Sequence, residues 1–284
     1  MKPGVVNQLI KEAIDFHVHA DPDPVFERRL DALDLAVQAK EAGMKAVVFK
    51  CHHYGTAPLV NIINRVVPDF RLIGSLTLNK GAGGLSPEVV EVAAKLGAKV
   101  IWMPTYSSVV DTERRGASPE EGISLIDRNG KLVSAMEPIL KIIKDNDLVL
   151  GTGHVSIPEI YALTAEARRR QIKVTITHPL TKGFGSTLTV EQQKELAGKG
   201  AYIEHCFVAC TPTMGKLDPA VMVEHIKAVG AERCILSTDF GQAINPAPTE
   251  GFRTMLAHML KFGLSEKELE ILVKVNPAKL LDLD

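Results

Sequence analysis

The feature that most constrains this chain is a strand followed by a helix, repeated. Eight short runs rich in β-branched residues stand at Ile14–Ala20, Lys45–His52, Arg71–Leu78, Lys99–Tyr106, Leu148–Ser156, Lys173–Pro179, Tyr202–Val208 and Cys234–Phe240. Most are nearly continuous apolar stretches, as parallel strands buried on both faces require. Between them, apolar residues recur at helical spacing in Asp31–Ala42, Pro87–Leu96, Ala135–Lys144, Ile157–Arg170, Val190–Leu196 and Pro219–Val229. Gly43 is a natural C-cap for the first of these, and Ser86-Pro87 and Asp218-Pro219 carry N-terminal capping chemistry.

About eight βα units in one chain predict a (β/α)8 TIM barrel. That fold needs about 250 residues, so 284 residues make a single domain over 1–284 with short additions. One addition is a long loop after the fourth strand, Ser107–Leu132, with a hairpin turn at Asn129-Gly130. On the functional face such a loop suggests a lid or substrate cover. The other is an extra C-terminal helix within Leu264–Asp284. The alternative, a doubly wound open sheet, usually has fewer strands and often a Gly-rich phosphate turn. G-x-G-x-x-G is absent, and Gly81–Gly84 reads as a turn at the barrel mouth.

A net charge of -1 leaves no electrostatic footprint for nucleic acid or an anionic membrane. No apolar run reaches the roughly 18 residues of a membrane helix, and the first residues lack the pattern of a secretory signal. Cys51, Cys206, Cys210 and Cys234 form no CxxC pair and read as reduced thiols, so a cytoplasmic location is expected.

The chemistry is expected where the strands end. His17 and His19 close the first strand, two residues apart and therefore on one face. His154 ends the fifth strand, His178 the sixth and Asp239 the eighth. In a parallel barrel all strand C-termini meet at one face, where barrel active sites sit. Imidazoles and a carboxylate converging there suit Zn²⁺ or a similar divalent ion. A single buried histidine is as often a packed core residue, but five ligands at matching strand ends are hard to reach by accident. His225 and His258 lie within helices and read as structural.

The D-x-H-x-H of Asp15–His19, a histidine after each of strands five and six, and Ser237-Thr238-Asp239 resemble the amidohydrolase superfamily. The tail Asn276-Pro277-Ala278-Lys279-Leu280-Leu281 is similar to the C-terminal stretch of that superfamily. The resemblance covers essentially the whole chain. It implies a (β/α)8 barrel with one or two divalent ions and gives Asp239 the role of accepting a proton from the attacking water.

The chain departs from the resemblance at the fourth strand, Ile101–Tyr106, which offers no Lys or Glu to bridge two metals. Strand two instead ends Lys50-Cys51-His52-His53-Tyr54. A carboxylated Lys50 could bridge, a Cys51 thiolate is the competing choice, and a lysine paired with a carboxylate is the structural alternative. The number of metal ions thus stays open. His52, Tyr54 and His205 are candidates for binding substrate or its oxyanion. Arg28 and Arg29 could bind a substrate carboxylate, although a solvated helix start explains them as well.

The activity expected is hydrolysis of a C–N or C–O bond in a small molecule: an amide, cyclic amide, lactone or amino group. A metal-dependent decarboxylase or lyase on the same barrel is the alternative. A metallophosphoesterase usually needs a richer acid and histidine cluster, and a barrel that merely binds metal has less need of Asp239. A homo-oligomer is expected only by analogy with other barrel enzymes.

Overall fold

The protein is described by a computed structural model covering residues 4–283. Its parallel strands are β1 (Ile14–Val18), β2 (Ala46–Phe49), β3 (Arg71–Ile73), β4 (Ser75–Thr77), β5 (Val100–Trp102), β6 (Val149–Gly151), β7 (Val174–Thr177), β8 (Tyr202–Cys206) and β9 (Cys234–Ser237). They pair in sequence order, β1 to β3 in one ladder and β4 to β9 in another. Only Gly74 separates β3 from β4, so the two are halves of the third barrel strand, the first pairing with β2 and the second with β5. A Cβ at Gly74 would lie 2.6 Å from the Ala57 Cα, which is why this position needs glycine.

The ring closes between the last strand and the first. The Asp239 amide donates to the His17 carbonyl at 2.8 Å, and the His19 amide donates to the Phe240 carbonyl at 2.7 Å. Val18 and Phe240 form the parallel bridge between them. Eight strands are therefore joined edge to edge, as the strand–helix repeat predicts.

Two apolar layers follow from the alternation of strand residues. Ile14, Phe16, Ala46, Val48, Val100, Trp102, Val149 and Ile235 fill the barrel, where Leu280, Leu281 and Leu283 of the C-terminal segment join them. The opposite strand faces, with Val47, Phe49, Ile101, Leu150, Ile176, Ile203 and Leu236 among them, pack in a second core that also takes in helical residues. Trp102 is the largest fully buried side chain. It fits because its neighbour is Gly151, where a Cβ would stand 2.2 Å from the Trp102 Cδ1.

Two helices of this outer layer escape the sequence periodicity, at Ala57–Val66 and Pro248–Lys261. The connection after β5 is not one long loop. It folds a short helix, Val109–Arg114, whose first turn is capped by the Ser108 hydroxyl. The hairpin follows at Ile126–Leu132, with Gly130 at φ 74°. The extra C-terminal element is a helix interrupted by a π turn: Glu266–Glu270, Ile271–Val275, Asn276–Leu281. No helix among the described residues is long and apolar enough to cross a membrane.

Candidate active site

The expected ligands are carried to one place by the ends of five strands. His17 is the penultimate residue of β1 and His19 lies just past its end. A register irregularity between Asp15 and Val18 adjusts the direction of the strand just before the pair. Asp15 anchors this segment to the last strand, accepting from the Thr238 hydroxyl at 2.6 Å and its amide at 3.0 Å. Lys50 and His52 extend the barrel-facing side of β2, while His154, His178 and Asp239 follow β6, β7 and β9. His178 and Asp239 both adopt the left-handed backbone region, with φ 31° and 55°. That conformation is uncommon outside glycine and tends to persist at functional sites.

His17 Nε2 and His19 Nε2 stand 3.3 and 3.1 Å from the same oxygen, Asp239 Oδ1. Lys50 Nζ lies 3.0 Å from His17 Nε2, and His154 Nε2 lies 2.9 Å from His178 Nε2. His17 Nδ1 faces Glu204 Oε1 at 3.1 Å, and His154 Nδ1 faces Asp111 Oδ2 at 2.5 Å. Sequence reasoning does not identify either carboxylate as part of the site. Glu204 leaves a trace, a lone acid within an apolar strand. Asp111 leaves none, because its partner is reached only through the fold.

The cluster forms the floor of a cavity of about 670 Å³. His19, Lys50, His52, His154, His178 and Asp239 line it. The rim is largely apolar: Val25, Phe26, Tyr106, Phe184, Met214 and Ile244. Val25 and Ile244 are strongly exposed despite being apolar.

Burial determines the charge states. It drives His17 and His52 well below the usual imidazole range, lowers His154, and brings His19 to about 4 and His178 to about 3. The imidazoles are therefore neutral at pH 7, with lone pairs free to bind a cation. Burial disfavours a charged Asp239, but His17 and His19 beside it hold its carboxyl well below the usual range. Burial raises Glu204 to about 8 and lowers Lys50. Ligand atoms about 2.0–2.1 Å from a tetrahedral zinc stand roughly 3.3 Å from one another. The 3.1 and 3.3 Å separations at His17, His19 and Asp239 match that spacing, and these three donors form a candidate cation cluster. The donor set fits a divalent ion.

Three expectations are corrected. His205 does not face the cavity: it alternates with Glu204 on β8, and its neighbour on the helical side is His225. Tyr54 turns aside, its hydroxyl donating to the Pro22 carbonyl at 2.8 Å and its ring lining a separate cavity. Cys51 points away from the cluster, its sulfur accepting from the His53 amide at 3.5 Å, and burial pushes its thiol up, against thiolate ligation. Arg28 reaches the cavity, but Asp23 holds it at 2.6 and 3.0 Å. Arg29 instead donates to the Ala243 carbonyl at 3.4 Å.

Residues 12–204 match a family of unknown function, DUF6282. No protein of curated function matches the sequence significantly. Solved structures share the fold over nearly the whole chain. An amidohydrolase from Pseudomonas aeruginosa is 15% identical with a TM-score of 0.65, over 99% of this chain and 98% of the other. A probable dipeptidase, PvdM, from the same organism is 12% identical with a TM-score of 0.69, again over 99% and 98%. A dipeptidase described as a metallopeptidase is 14% identical with a TM-score of 0.65, over 96% and 98%. At these identities the likeness is one of fold, a barrel of parallel strands and helices. The chain belongs to the DUF6282 family and is built on that barrel.

Proposed function

We propose that this protein is a metal-dependent hydrolase that cleaves a C–N or C–O bond of a small molecule. One observation carries the reading: neutral imidazoles and an ionised Asp239 converge on the floor of the cavity. His17, His19, His154, His178 and Asp239 would hold the ion, and the donor set favours zinc among common divalent metals. When bound, the ion supplies Lewis-acid polarisation and brings the acidity of water toward neutral pH. Lys50, buried with its pKa lowered, would offer a free amine for carboxylation, and the resulting carbamate oxygens would serve a second ion.

The remaining steps fall to the chain's own groups. Asp239 takes the proton of the attacking water and returns it to the leaving group. His52 is oriented to stabilise the oxyanion. Its Nδ1 lies 2.9 Å from the Thr105 hydroxyl, which also accepts from the Asn79 amide at 2.7 Å. In the tautomer protonated on Nε2, Nδ1 would accept from that hydroxyl and Nε2 would serve as the donor. The apolar rim favours a substrate with an apolar body and excludes water around the reacting carbonyl. The free thiols accord with a reducing, cytoplasmic setting.

Product analysis in oxygen-18-labelled water tests the reaction type. A hydrolase places the label in the product acid or alcohol, whereas release of carbon dioxide without label in the organic product supports the decarboxylase alternative.

A further inference from the structure

We propose that Asp111 is a positioning residue that sets the tautomer of His154 and ties the helix Val109–Arg114 to that histidine. The inference rests on the metal-site reading of His154 and adds a residue from an element outside the barrel strands. Asp111 sits on the helix Val109–Arg114, in the excursion after β5, and is buried at 3% exposure. Its Oδ2 stands 2.5 Å from His154 Nδ1, while Oδ1 accepts from the Gly185 amide at 2.9 Å and from Arg114 Nη1 at 2.8 Å.

The contacts divide the work. Asp111 Oδ1 already accepts from the Gly185 amide and from the Arg114 guanidinium, the pairing of an ionised carboxylate. An ionised carboxylate can only accept, so the facing His154 Nδ1 must carry the hydrogen. His154 Nε2 is thereby left with its lone pair directed at His178 Nε2 and the cavity floor. Metal-binding histidines are commonly fixed in this way by a carboxylate behind the ring.

The second oxygen reaches a different loop. Gly185 is held at both backbone groups, its amide by Asp111 and its carbonyl by Arg114 Nη2 at 2.9 Å. Gly185 has φ 56°, and a Cβ there would lie 3.0 Å from the His154 Cα. Its neighbour Phe184 lines the cavity, with its ring centroid 5.9 Å from that of His154. One carboxylate therefore joins an imidazole, the helix Val109–Arg114 and the loop carrying Phe184.

The test needs no substrate. Long-range ¹H–¹⁵N correlation spectra of metal-free protein report which imidazole nitrogen bears hydrogen. Wild type is expected to show His154 protonated on Nδ1, and Asp111→Asn, which can turn an NH2 toward the ring, is expected to shift the hydrogen to Nε2. Zinc affinity, read by competition with a chromogenic chelator, should fall about 10- to 100-fold in Asp111→Asn, with the melting temperature of the metal-free protein little changed. A wild-type His154 protonated on Nε2 would overturn the inference, as would an Asp111→Asn protein with an unaltered tautomer and zinc affinity. Wild type that binds no zinc, with the tautomer as expected, would defeat the metal reading and leave Asp111 as the residue that orients the ring.

Discussion

Lys50 Nζ stands 3.0 Å from His17 Nε2, with both side chains buried. A charged ammonium there would occupy the nitrogen that His17 needs for a cation. Burial lowers the Lys50 pKa, which favours the free amine and its reaction with carbon dioxide. Zinc loading should therefore depend on bicarbonate: more metal per chain when protein is reconstituted with it than without, and no such difference in Lys50→Ala. Loading indifferent to bicarbonate would assign Lys50 to substrate binding and leave a mononuclear site.

Asp239 should matter to the chemical step more than to substrate capture. Asp239→Asn keeps the shape of the group but loses its basicity. Assayed with excess zinc so that the variant is metal-loaded, it is expected to lose about 10²- to 10⁴-fold in kcat, as for other general bases, with KM changed far less. A variant that retains kcat would remove Asp239 from proton transfer.

The imidazole of His205 gives the protein an acid-labile core. Burial brings its pKa to about 3 from an ordinary 6.5, and neither ring nitrogen has a hydrogen-bond partner among the described residues. The unfolded chain takes up a proton at His205 below about pH 6.5, whereas the folded one resists it until about pH 3. Stability is thus independent of this residue above pH 6.5 and falls as pH drops below it, by about 1.4 kcal/mol per pH unit. Urea midpoints at pH 7.5 and 5.5 should differ less in His205→Leu than in wild type. Equal differences would show that His205 does not titrate on unfolding.

Gly151 leaves no room for a side chain in the barrel interior. Gly151→Ala would push a methyl into Trp102, whose ring lies beneath His17 at a centroid distance of 5.3 Å. Overpacking of this kind costs about 1–3 kcal/mol, measurable by urea unfolding. A neutral effect would mean that the Trp102 ring can move.

Much of this was legible in sequence because parallel strands buried on both faces are written as apolar runs, and a polar residue that ends such a run is conspicuous. His17, His154, His178 and Asp239 all stand out for that reason. His205 was misread because a strand end names two faces, and alternation with Glu204 sends it to the helices. Tyr54 and Cys51 lie past the end of β2, where the chain turns and strand alternation no longer sets direction. Asp111 and Glu204 act through another residue's ring, and such pairs form only once distant elements pack. The helix inside the excursion was hidden by its length, six residues between turn signals.

Metal content tests the central claim most directly. Purified protein, reconstituted with zinc and desalted, should retain at least one ion per chain by inductively coupled plasma mass spectrometry. His17→Ala and Asp239→Asn should retain markedly less under the same treatment while remaining folded by circular dichroism. Wild type that holds no metal after reconstitution would contradict the account and leave the converging histidines without their proposed purpose.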